Sequence, residues 1–157
     1  MYKKIVVPLD GSELAECVLP HVETIAKGCE LPEVVFLQVV EHAPIPHAYR
    51  YTTEDERQKF MMEDTAGARK AAEDYLDRIV KTINYPGMNM KTEVTIGKPA
   101  DIIADYATNE GVDLIVIATH GRSGISRWTF GSVADRILRS SCVPVLMVRA
   151  PGCVAGI

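Results

Sequence analysis

The chain has 157 residues, 47% of them hydrophobic and 24% charged, and a mean hydropathy of +0.04, values that exclude a disordered or fibrous polypeptide and suit one globular domain. A domain of this size buries roughly 70% of the surface its unfolded chain exposes, so its core needs no disulfide or metal support. Lysine and arginine total 17 against 21 acidic residues, a net charge of −4, which is the wrong sign for holding DNA or RNA through phosphate neutralisation.

Met1-Tyr2-Lys3-Lys4 runs directly into the strand-like Ile5-Val6-Val7, with no apolar leader and no apolar stretch of spanning length. A cytoplasmic protein without a membrane partner is expected. Cys17, Cys29, Cys142 and Cys153 are scattered, with neither C-x-x-C pairs nor Cys/His spacing of zinc type. No metal site is expected, and the thiols read as buried or incidental ones in a reducing compartment.

The first strand falls at about residues 3 to 9. From Ser12 to about Lys27, Leu14, Ala15, Val18, Leu19, Val22, Ile25 and Ala26 recur on one helical face. Ser12 suits the N-cap, Glu13 and Glu16 the first turn, and Gly28 the stop. Pro20 lies inside this helix and predicts a bend. Val34 to Val40 is a nearly continuous apolar run, as in a strand covered on both faces. The segment His42 to Tyr51, with two prolines and no period, reads as a loop.

Thr53 and Glu56 form a capping box that opens a long helix carrying Phe60, Met61, Ala68, Ala71, Ala72, Tyr75, Leu76, Ile79, Val80 and Ile83, with Pro86-Gly87 after it. Met90 to Ile96 alternates, setting Lys91, Glu93 and Thr95 on the other face, the pattern of an edge strand. A helix follows from Pro99 to Gly111, using Ile102, Ile103, Tyr106 and Ala107. Leu114 to Ala118 is the fourth strand, Thr119 to Phe130 a loop, and Ser132 to Ser140 a helix with Val133, Ala134, Ile137 and Leu138 inward. Val143 to Val148 is the fifth strand, and residues 150–157 form a tail.

Strands and helices alternate without a repeat or linker, which predicts a single α/β domain over residues 1–149: an open parallel five-stranded sheet with helices on both faces. Ligands of such sheets sit beyond the carboxyl ends of the strands, where the strand order reverses. With the order 3-2-1-4-5, that crevice lies between the first and fourth strands. It is bordered by the loops Pro8 to Ser12 and Ala118 to Ser132.

The second loop holds three glycines, the last in Gly131-Ser132, together with Arg122, Arg127 and His120, and no acid. That local excess of positive charge suits a phosphate, and Gly131-Ser132 at a helix start offers N–H groups and a hydroxyl. Alternatively the glycines only shape a turn and the arginines are solvated. His120 could serve as a general base or metal ligand, but with no histidine or carboxylate at ligand spacing it reads as a phosphate contact or loop hydrogen bond. Asp10 either accepts from a ribose or base, or closes an Asx turn or caps the following helix. No Walker loop, dinucleotide fingerprint or nucleophile elbow is present, and no catalytic residue is assigned.

Val6-Val7-Pro8-Leu9-Asp10-Gly11-Ser12-Glu13, Leu37-Gln38-Val39-Val40, and Ala118-Thr119-His120-Gly121, nine residues, then Gly131-Ser132, ending in Val143-Pro144-Val145-Leu146-Met147-Val148, jointly resemble the universal stress protein (UspA-like) family. The resemblance implies a Rossmann-like sheet of order 3-2-1-4-5, a stress-response or signalling role, and a homodimer made partly through the last strand. In one subgroup it implies ATP, with or without magnesium, at the switch point. Carried over by position, Asp10 and Val39 contact the nucleoside, and Pro8 and Ile117 line its pocket. Gly121, Gly131, Ser132 and Val133 hold ribose and phosphates.

Ala118 stands where that subgroup's pattern has its first glycine. Its methyl crowds the ligand if the backbone there needs positive φ or a very close approach, and is harmless if φ is negative. The alternatives to an ATP-binding module are a nucleotide-free dimeric interaction module, with or without a partner protein, and a slow ATP hydrolase. The apolar fifth strand, with Val143, Val145 and Met147, has its own reason to pair with a second copy, because an open apolar edge invites association.

Overall fold

A computed structural model of the chain describes residues 2–30, 32–41, 53–83, 87–119 and 132–150. The expected loop from His42 to Tyr51 and the tail beyond Ala150 lie outside the described residues. The strands are β1 (Lys4–Pro8), β2 (Glu33–Val40), β3 (Asn89–Ile96), β4 (Leu114–Thr119) and β5 (Val145–Arg149). The helices are α1 (Leu19–Cys29), α2 (Glu54–Thr82), α3 (Pro99–Asn109) and α4 (Ser132–Ser140). All strand pairs are parallel, as the alternation of elements predicts, and their order is β3-β2-β1-β4-β5, the one the family resemblance implies.

Each strand of the sheet's interior sends alternate side chains to two cores. Ile5, Val7, Val34, Phe36 and Val116 pack with Val18, Val22, Leu76 and Ile79 under α1 and α2. Val6, Val35, Leu37, Ile115 and Ile117 pack with Ile103, Ala107, Ala134 and Ile137 under α3 and α4. Continuous apolar runs in β1, β2 and β4 are the consequence, since both faces are covered.

Local corrections have local causes. Pro20 is not interior to a helix: residues Ala15–Val18 form a 3-10 turn, and α1 begins at Leu19 with the proline in its first turn, where no N–H is required. Gly28 does not stop α1, which ends at Cys29 with Glu30 in the left-handed conformation at φ 50°. In α2 the capping box of Thr53 and Glu56 is present, but only Ala72, Tyr75, Leu76 and Ile79 are buried; Ala71 is exposed and Phe60, Met61 and Ala68 are partly so. Leu138 is 48% exposed, against its expected inward position. Val143 precedes β5, its N–H donating to Ser141 Oγ (3.0 Å) and its carbonyl accepting from the Ser141 hydroxyl (3.2 Å), so its peptide groups belong to a local turn rather than the ladder.

β1 and β4 are tied at one end. Asp113, at the start of β4, accepts from the N–H groups of Lys3 (2.7 Å) and Lys4 (2.9 Å). Those two donors hold its carboxyl below the usual carboxylate range. At the other end the same two strands come apart, and this positions the site.

Candidate nucleotide crevice

β1 pairs with β2 over five positions, Lys4↔Glu33 to Pro8↔Leu37, but with β4 only at Ile5↔Leu114 and Val6↔Ile115. The cause lies in the sequence. Leu9 N–H donates to the Leu37 carbonyl (2.9 Å), so odd-numbered peptide groups of β1 face β2 and even-numbered ones face β4. After Val6 the next even position is Pro8, which has no N–H to give. The ladder to β4 therefore stops, and the strands diverge where the sheet order reverses.

Side-chain alternation decides what lines this opening. Val6 and Leu37 belong to the α3/α4 core, so Pro8 and Val39, each two residues further on, lie on that same face. Ile117 is 6% exposed in that core, and Val39 and Val133 pack against it. Pro8, Val39, Ile117 and Val133 thus come together as an apolar floor. The β1–β2 register ends at Leu37, two residues short of Val39, which directs that residue's peptide groups past the end of β1.

Asp10 stands at the mouth, exposed. Its Oδ1 accepts from both the N–H (3.0 Å) and the hydroxyl (2.6 Å) of Ser12, and the Ser12 Oγ in turn accepts from Ala15 N–H (3.2 Å). The Asx turn and the ligand reading are therefore compatible: Oδ1 holds the loop, and Oδ2 has none of these bonds. Gly11 between them has φ +86°, a left-handed backbone that an L side chain adopts only with strain.

Ala118 lies on the other face. Val116 and Leu114 belong to the α1/α2 core and Ala118 packs against it, so its methyl points away from the floor formed by Pro8, Val39 and Ile117. Among the described residues Glu30 alone of the non-glycines has positive φ, so the backbone at Ala118 does not need a glycine. Ala118→Gly is accordingly expected to leave nucleotide affinity unchanged within about twofold, and to cost about 0.5–1 kcal/mol as strand entropy. Calorimetric titration and thermal unfolding check the two halves.

Polar groups that the sequence does not single out also border this end of the sheet. Gln38 Oε1, Tyr75 Oη and Thr95 Oγ1 are buried without a hydrogen-bond partner among the described residues. Tyr75 is 5% exposed, and its hydroxyl is pushed well above the usual phenol range, chiefly by burial and then by the carboxylates of Glu16 and Asp10. The alternation of β3 predicts an exposed face for Thr95. Its pairing with Val39 instead places it beside the crevice.

α4 begins at Ser132, next to Val133, which brings a helix start to the α3/α4 face. His120, Gly121, Arg122, Arg127 and Gly131, and the side chain of Ser132, lie outside the described residues. β5 is the sheet edge: Val145 and Met147 are partly buried against the α3/α4 core, and Leu146 is 36% exposed on the opposite face. Among the described residues no helix is long and apolar enough to cross a membrane, and no group of three or more His, Cys, Asp or Glu side chains is placed to hold a metal.

The family model described as the universal stress protein family matches residues 1–149. The chain belongs to the universal stress protein family. Universal stress protein MJ0577 of Methanocaldococcus jannaschii is 29% identical over 95% of this chain and 96% of its own. The solved structure of MJ0577 superposes with a TM-score of 0.69 over 97% of this chain and 99% of that one. More distant members share the fold and were solved with nucleotides. One has cAMP, at 21% identity and a TM-score of 0.61, covering 95% of this chain and 98% of that one. The other is from Arabidopsis thaliana with AMP, at 15% identity and a TM-score of 0.62, covering 96% and 93%.

Proposed function

We propose that this universal stress protein binds an adenine nucleotide, ATP with or without magnesium, in the β1/β4 crevice and acts as a homodimeric stress-response or signalling module in the cytoplasm. The observation that carries this reading is the split after Val6, which opens an apolar floor of Pro8, Val39, Ile117 and Val133 under the Asp10 carboxylate. An apolar floor suits a flat base, and a carboxylate oxygen suits ribose hydroxyls. The start of α4 at Ser132 suits phosphate, because its first N–H groups and the helix dipole favour negative charge.

Gly121 and Gly131 then hold ribose and phosphates together with Ser132, and His120, Arg122 and Arg127 add positive charge in a chain whose net charge is −4. AMP and cAMP in the two distant members support an adenine nucleotide in this fold. The nucleotide-free alternative rests on Ala118, whose methyl faces the other core. The second copy pairs along β5, covering Val145, Leu146 and Met147 at the open edge.

The test is to purify the protein without added nucleotide, denature it to release and identify any ligand, and titrate the stripped protein with ATP and magnesium by calorimetry. Scattering mass is measured in the same samples. Co-purified nucleotide or micromolar binding to a dimer is expected; no binding at millimolar ATP to a folded protein removes the nucleotide reading.

A further inference from the structure

A threonine inside a sheet normally hides its hydroxyl in a hydrogen bond or turns it to water. Thr95 does neither: its Oγ1 is buried with no partner among the described residues. Valine has nearly the same shape, suits a strand equally well and leaves no polar atom unsatisfied. The hydroxyl therefore costs stability without a compensating bond among those residues.

Its position supplies a reason. Thr95 pairs with Val39 in the β2–β3 ladder, and both side chains stand on the α3/α4 face that also carries Pro8 and Ile117. The other two unpartnered polar atoms lie on the opposite, α1/α2 face, the Gln38 amide against Gly11 at the crevice mouth. Tyr75 belongs to the α1/α2 core, and Gln38 follows Phe36 by two residues on that side. Of the three, only Thr95 borders the crevice floor, at the end away from β4 and the start of α4.

A nucleotide with its phosphates at α4 and its sugar near Asp10 points its base across Val39 toward β3. Resting on the nucleotide reading above, we propose that Thr95 is a base-recognition residue, whose hydroxyl oxygen accepts a hydrogen bond from the exocyclic amino group of a 6-aminopurine. Thr95 as a whole is only partly buried. A single χ1 step carries its hydroxyl into the position the methyl or the hydrogen held, so the oxygen can turn to the ligand without backbone movement.

Base recognition is separable from phosphate binding by a paired titration. Wild type, Thr95→Val and Thr95→Ser are each titrated with ATP and with purine riboside triphosphate, which lacks the 6-amino group. Wild type is expected to prefer ATP. Thr95→Val should bind ATP about threefold to tenfold more weakly and lose most of that preference, with an unchanged or higher Tm, while Thr95→Ser keeps it. Equal ATP affinity in wild type and Thr95→Val overturns the assignment. So does an equal loss for both nucleotides, which would place the hydroxyl in packing. If wild type binds neither nucleotide, the nucleotide reading fails and takes this assignment with it.

Discussion

Asp10→Asn is expected to weaken ATP binding by about tenfold to hundredfold while leaving the fold intact, the loss typical of one hydrogen bond to a charged group. The two carboxylate oxygens have separable duties. Oδ1 accepts from the Ser12 N–H and hydroxyl, and an asparagine oxygen can keep both bonds. What asparagine removes is the charge and the second acceptor that a ribose would use. Asp10→Ala removes the turn as well, so it should lose the same affinity and about 1 kcal/mol of stability besides. Calorimetry with ATP and thermal unfolding without it give the two numbers independently. Wild-type affinity in both variants would take Asp10 out of the site.

Much of this arrangement is legible in the amino-acid sequence. The parallel sheet follows from alternation, because Val34 to Val40 and Leu114 to Ala118 are almost wholly apolar and only a doubly covered strand needs that, whereas the strand order, and with it the place of the crevice, comes from the family resemblance. Asp10 and Ser12 are legible as a turn, since short polar side chains bond the backbone two residues on. Three features are not legible. Pro20 sits at a 3-10 to α junction whose existence depends on packing against β4 and β5, a tertiary contact with no local signature. The direction of the Ala118 methyl depends on the phase of β4, which Val116 and Ile117 reveal only once each is assigned to a core. Thr95 looks solvent-facing because alternation in an edge strand says which residues share a face, not which face is covered.

The same logic explains why a proline opens this site. A residue with an N–H in place of Pro8 could extend the β1–β4 ladder by a further bond, drawing the strands together where the ligand reading needs them apart. The Asp113 clamp at the opposite end keeps the two strands in register despite the short ladder. Site and scaffold are therefore set by neighbouring residues of one strand, with Val6 and Val7 in the two cores and Pro8 beyond them.

Phe36→Ala is expected to cost about 3–5 kcal/mol, the range for deleting a buried aromatic ring, out of the roughly 5–15 kcal/mol typical of a domain. Phe36 is 0% exposed in β2, with β1 and β3 on either side, and lies in the α1/α2 core away from the crevice floor. Its loss should therefore lower the denaturation midpoint without changing the intrinsic affinity of molecules that remain folded. Ligand linkage makes this measurable, because ATP at about 100 times its dissociation constant restores about 2.7 kcal/mol to any fold that binds it. Thermal unfolding with and without ATP should show Phe36→Ala regaining about half or more of its loss. The double variant Phe36→Ala, Asp10→Asn should regain far less at the same ATP concentration. Equal recovery in the two would mean that the stabilising nucleotide sits somewhere other than under Asp10.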